Sequence, residues 1–164
     1  MIQRNFETAM AKGEVGEGII RSHLEAKGWI VYKPFTDGVH CFDMMSIKDK
    51  RTAVAIDVKA KARMTKWPAT GIDERHFNEY SHFSEKYKMP FWVIFVDEYL
   101  GRIYGNTIDE LEKPRVVDGI EYPWVMRGKI RIWPLEAMKQ IGTLADKQMK
   151  HLTKFNQRNY EYTA

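Results

Sequence analysis

Six consecutive apolar residues, Phe91-Trp92-Val93-Ile94-Phe95-Val96, constrain the fold more than any other stretch of this chain. A strand of this kind has no face to give to water, so both faces must be covered by other layers. Pro90 stops the element in front of it. That element is expected to be a helix from Asp73, a suitable N-cap, to about Lys88. Ile72, His76, Tyr80, Phe83 and Tyr87 form its core-facing stripe. On such a stripe His76 and Tyr80 are packing residues first and functional residues second. A strand, a helix and then a buried strand imply a right-handed crossover, and hence a mixed sheet with a helix laid over it.

The strand on the near side of that crossover is Ala53-Val54-Ala55-Ile56-Asp57-Val58-Lys59-Ala60. Alternation puts Val54, Ile56 and Val58 on one face and Asp57 and Lys59 on the other. A polar turn, Lys48-Asp49-Lys50-Arg51, joins it to a strand beginning near Phe42. In a hairpin centred on Lys50, Asp43 stands directly opposite Asp57, with Cβ atoms roughly 4.5–5.5 Å apart. Two like charges so placed repel, and a bound cation would remove the cost. An ordinary edge hairpin with a solvated polar face is the alternative.

Upstream, residues 2 to 27 are expected to be helical, in two pieces broken near Gly13, Gly16 and Gly18. Glu17 shares a helical face with Leu24, beside Ile20, which sets one carboxylate at the rim of the apolar stripe. Glu14 aligns with Arg21 instead, on a solvated face. Gly28 suits a helix C-terminus, and Trp29 to Phe35 then forms a strand turned by Thr36-Asp37-Gly38. After the hairpin comes a basic loop, Arg63 to Pro68.

Beyond Val96 the expectations are a strand at 102 to 108, a short helix around Asp109 to Glu112, and strands near Ile120 to Val125 and Lys129 to Trp133. A last helix is expected to open at Pro134. Its residues Met138, Ile141, Ala145, Gln148, Leu152 and Phe155 have the spacing of a packing seam, for this domain or for a second subunit. Lys147, Lys150, Lys154 and Arg158 follow one another with no acid among them, as a DNA-facing or a solvated surface.

With 164 residues, 44% of them hydrophobic and 13% aromatic, the chain reads as one domain with a real core rather than a disordered segment. The net charge of +4 permits nucleic-acid binding without requiring it. Cys41, the single cysteine, excludes an internal disulfide and a multi-thiolate zinc site. No run is long and apolar enough for a membrane span or a signal peptide, so a cytoplasmic protein without a membrane partner is expected.

A helix glutamate in Gly13-x-x-x-Glu17, then Gly28-Trp29-Ile30-Val31, then Phe42-Asp43, then Ile56-Asp57-Val58-Lys59, followed by a helix and a buried strand, resembles the PD-(D/E)xK nuclease superfamily. Within it the likeness is nearest to the Holliday-junction resolvases of archaea and phages. Phe42 stands where that family usually has proline. The resemblance implies a restriction-endonuclease-like α/β fold of α-β-β-β-α-β order. Its core would lie at about residues 13–96, and residues 97–164 would add strands and a helix.

The same resemblance implies a Mg²⁺- or Mn²⁺-dependent deoxyribonuclease acting on DNA, four-way junctions in particular, as a homodimer engaged in recombination and repair. Restriction, repair or exonucleolytic nucleases share its chemistry, and a non-catalytic nucleic-acid-binding module shares its fold. Glu17, Asp43, Asp57 and Lys59 would be the catalytic set. Asp43, Asp57, the Val58 carbonyl and Glu17 would hold the ion, because Mg²⁺ prefers oxygen ligands. Lys59 would orient or deprotonate the attacking water. Lys61, Arg63, Lys66, Lys150, Lys154 and Arg158 are the basic residues expected to touch the DNA backbone.

Overall fold

A computed structural model of the chain describes residues 2–34, 41–49, 52–60, 68–122, 124–135 and 138–155, with backbone alone at residues 2–6 and at 115, 117 and 122. The elements run α1 (Ile2–Ala26), β1 (Ile30–Tyr32), β2 (Met44–Lys48), β3 (Thr52–Lys59), β4 (Ala69–Asp73), α2 (Glu74–Tyr87), β5 (Phe91–Asp97), β6 (Arg102–Thr107), α3 (Ile108–Glu112), β7 (Arg115–Val117), β8 (Ile120–Tyr122), β9 (Val125–Arg127), β10 (Ile130–Pro134), β11 (Gln140–Thr143) and α4 (Asp146–Thr153). Six strands form the main sheet in the order β1-β2-β3-β5-β6-β11, and β4-β10-β9 form a smaller one.

The apolar run behaves as its composition demands. β5 pairs in parallel with β3 and antiparallel with β6. Its alternate residues serve two different cores. Phe91, Val93 and Phe95 pack with Phe77 and Tyr80 of α2, Leu111 of α3 and Trp133 of β10. Ile94 and Val96 pack on the opposite face with Ile20 and Leu24 of α1 and Leu152 of α4. The sheet is therefore covered on both sides, and β3 lies in its interior rather than at an edge.

β2 and β3 pair with Met44 opposite Ile56 and Lys48 opposite Thr52, the register of a hairpin centred on Lys50. Gly28, at φ 82°, ends the first helix, and the Trp29 amide donates back to the Leu24 carbonyl at 3.1 Å. Asp73 caps α2 through the Arg75 amide, and Lys88 closes that helix in the left-handed region at φ 50°.

Several expectations are corrected. The first helix is continuous through Gly13, Gly16 and Gly18. At Gly16 the reason is packing: a Cβ there would meet the Ala60 Cβ at 2.5 Å, so the missing side chain lets α1 lie close to the end of β3. Ile72 belongs to β4, not to α2, and Phe77 replaces it in the buried stripe, while Tyr87 is exposed. The strand expected at 120 to 125 is two strands, β8 and β9.

Pro134 does not open a helix. It ends β10, paired with Ala69, at a strand terminus where its missing N–H is tolerated. The last helix starts only at Asp146. Met138 is buried before β11, Ile141 lies within that strand, and Leu152 is fully buried against α1. The seam is thus divided between three segments, and the burial of Met138 and Leu152 inside this chain removes those two as a surface for a second subunit. The turn at Thr36 to Gly38 and the basic loop from Arg63 to Trp67 lie outside the described residues.

Candidate active site

The carboxylates meet where β2 begins and β3 ends. The Asp43 amide donates to the Ile56 carbonyl at 2.9 Å, one residue beyond the last β2–β3 pair, Met44 with Ile56, so the ladder shifts there by one residue and holds Asp43 beside Ile56 and Asp57. The Asp43 side chain turns back toward β3, where its Oδ2 accepts the Val58 amide at 2.7 Å. In an extended residue the N–H and C=O point to the same strand edge, so the Val58 carbonyl also faces the β2 side.

Asp57 is 5% exposed because α2 covers its face of the sheet, where a solvated hairpin face had been the alternative. Lys59 is its counter-charge, with Nζ 2.9 Å from Oδ1 and 2.8 Å from Oδ2. Only the first of these contacts has hydrogen-bond alignment, and the buried Oδ2 is left without an aligned donor. Burial and the Asp57 charge together raise Asp43 to about pH 6, with the Glu17 carboxylate adding to the rise; the Val58 amide and Lys59 oppose it. One ammonium thus stands against two facing carboxylates.

Tyr80 completes this wall. Its ring stacks on Phe91 at 4.4 Å, and the Lys59 ammonium lies 5.8 Å from its centroid. Burial first, then the nearby Asp57 carboxylate, raise the phenol far above its ordinary value. The helical stripe had suggested a packing role for Tyr80, and the structure gives it packing and contact with Asp57 together. His76 stacks on Tyr80 at 6.2 Å but sits at the Arg75 guanidinium, away from the carboxylates. Cys41 is half-buried, and burial pushes its thiol up.

Glu17 reaches the site from α1 with its own partner: Oε2 lies 2.8 Å from the Lys33 ammonium, just past β1. Lys33 had no place in the sequence reading, because nothing in its neighbourhood marks it before β1 and β2 are paired. Among the described residues no three His, Cys, Asp or Glu side chains converge as a ready-made metal cage. Asp43 and Asp57 are together, and Glu17 is turned onto Lys33. The donor set is all oxygen, and the excess negative charge and the undonated Asp57 Oδ2 fit a hard divalent cation.

Lys150 on α4 and Lys154 at its C-cap are exposed, on the α1 side of the sheet. Lys61, Arg63, Lys66 and Arg158 lie outside the described residues. No described helix is long and apolar enough to cross a membrane.

The mixed sheet covered on both faces, with one carboxylate just before its second strand, one on its third and a lysine two residues on, has the fold of solved nuclease structures. The chain is similar to the Holliday junction resolvase Hjc of the archaeal hyperthermophile Archaeoglobus fulgidus, with 14% identity, TM-score 0.57, and 79% of this chain and 92% of that one covered. It is also similar to D212, a nuclease from a fusselovirus, with 14% identity, TM-score 0.50, and coverage of 94% and 97%. No protein-family model matches the sequence, and no curated protein matches it significantly.

Proposed function

We propose that this protein is a Mg²⁺- or Mn²⁺-dependent DNA endonuclease that cuts branched DNA, four-way junctions above all, as a cytoplasmic homodimer. The observation that carries the reading is the close pair of Asp57, buried, and Asp43, half-buried beside it, with Lys59 as their near counter-charge. Asp43, Asp57, the Val58 carbonyl and Glu17 would hold the cation. When bound, the ion supplies positive charge to the scissile phosphate and acidifies water at the site.

The chain's own groups supply the rest. Lys59 Nζ, an ammonium held on Asp57, is placed to orient a water and to offset charge developing on the phosphate. In the reaction the water oxygen forms the new P–O bond and loses a proton to solvent, while the bond to the leaving sugar oxygen breaks and that oxygen takes a proton from solvent. A two-fold dimer would bring two such sites to the two strands of a junction.

Incubation of the purified protein with a four-way junction, a linear duplex and single-stranded DNA, with Mg²⁺ or with chelator, tests this. The expected result is nicking of the junction, dependent on Mg²⁺, with the other DNAs spared. Equal cutting of linear duplex would favour a restriction, repair or exonucleolytic enzyme. Junction binding without cutting under any metal would leave a binding module.

The raised Asp43 gives a second test that needs no turnover. A carboxyl with a folded pKa of about 6 and an ordinary value of 3.8 stabilises the fold while protonated. That contribution is full below pH ~4 and is lost as pH rises through ~6. The metal-free protein is therefore expected to lose thermal stability across this window, and added Mn²⁺ to restore more of it at pH 7.5 than at pH 5. Equal Mn²⁺ shifts at both pH values would remove Asp43 from the ligand set.

A further inference from the structure

Lys33 stands where no motif predicts a functional residue. It follows β1, whose pairing with β2 sets Tyr32 opposite Met45. Continued by one residue, that register brings Lys33 opposite Met44, next to Asp43. Its ammonium lies 2.8 Å from Glu17 Oε2, and Glu14 and Asp43 add to the negative field around it. The two partners differ in burial: the Glu17 side chain is 19% exposed and the Lys33 side chain 59%. Glu17 is thus fixed at the site, whereas Lys33 reaches it from solvent on a flexible stem.

From this geometry we propose that Lys33 is an exchangeable counter-ion of the site: it holds Glu17 until a divalent cation takes that carboxylate, and the released ammonium then binds a DNA phosphate. The inference rests on the metal-site reading above and deepens it. An exposed lysine pair is weak, so a doubly charged cation held by two further carboxylates displaces it readily. A phosphate beside the site offers the freed ammonium a new partner of the same sign as the one it lost. Because both events draw on one residue, metal and DNA must each strengthen the binding of the other.

The test compares wild type with Lys33→Met, Lys33→Arg and Glu17→Gln. Mn²⁺ affinity is read from the free-ion paramagnetic resonance signal without DNA. Junction affinity is read in Ca²⁺ over a range of salt. Lys33→Met is expected to bind Mn²⁺ about two- to fivefold tighter, the strength of an exposed pair. Lys33→Arg should stay near wild type, and Glu17→Gln should bind Mn²⁺ more weakly with or without Lys33. Junction affinity of Lys33→Met should fall, with a salt slope shallower by about one. Wild type that binds no Mn²⁺ would overturn the metal site itself. Wild type that binds Mn²⁺, with Lys33→Met equal or weaker, would overturn the counter-ion role alone. Tighter Mn²⁺ with unchanged junction affinity and slope would overturn the transfer to phosphate.

Discussion

Asp57→Asn is expected to lower DNA cleavage by a factor on the order of 10³ or more while leaving the folded protein as stable as before, or more so. The substitution keeps the shape of a side chain that is 5% exposed and removes one of two facing charges. The repulsion that helps raise Asp43 disappears with it, so the Asp43 carboxyl should fall back toward its ordinary value. Lys59→Ala should also cost about 10²–10⁴ in rate. It differs in one respect: it leaves Asp57 buried without its ammonium, so this variant should melt earlier than wild type. Cleavage rates beside thermal melts of both variants check the pair. Near-normal cleavage by Asp57→Asn would sink the proposed chemistry, and loss of its native circular-dichroism spectrum would mark Asp57 as structural.

The parts of this site legible in sequence were those fixed by short-range geometry. A tight hairpin has one natural centre, so the ladder from Met44–Ile56 to Lys48–Thr52 followed from counting; its last step did not, because the Asp43 amide bonds to the Ile56 carbonyl and shifts the register where Asp57 was expected opposite. Asp73 and Gly28 announced their helix ends because capping depends on single residues. What failed was decided by distant partners. β4 is five residues, Ala69-Thr70-Gly71-Ile72-Asp73, whose strand form comes from pairing with β10 some sixty positions later. Gly71 alone would have argued for a loop, yet a Cβ there would meet the Arg131 carbonyl oxygen at 2.6 Å, so close strand approach selects glycine.

The seam from Met138 to Phe155 shows the converse error. Its spacing is helical, but Ile141 is held in β11, where the pairing of that strand with β6 overrides periodicity. Tyr80 and Lys33 were illegible as site residues for a related reason. Each owes its role to a contact across elements, Tyr80 with Asp57 of β3 and Lys33 with Glu17 of α1.

The interaction expected to matter most for stability also joins distant segments. Arg131 of β10 is buried, with its guanidinium 3.6 Å from the Phe77 ring centroid and 3.9 Å from that of Trp124. In the plane between the rings it donates to both Glu74 oxygens, Nε at 2.8 Å and Nη2 at 2.7 Å, and Nη1 lies 3.3 Å from Glu112. One side chain thus ties the β4-β10-β9 sheet to α2 and to the end of α3. Lysine could not replace it, because only the planar fork both stacks and pairs in two directions.

Removing a buried partner costs roughly 3–5 kcal/mol when the remaining charge stays buried. The Glu74 and Glu112 side chains are 30% and 55% exposed and regain water, which lowers that cost. Losing two ring contacts and the charged hydrogen bonds still points to about 2–3 kcal/mol for Arg131→Leu. At this chain length that corresponds to a fall of about 5–10 °C in the unfolding midpoint. Glu112→Gln, which touches one exposed end of the cluster, should move it by no more than a degree or two. Thermal melts of the two variants decide the matter: an Arg131→Leu midpoint within two degrees of wild type would reduce the clamp to a surface ion pair.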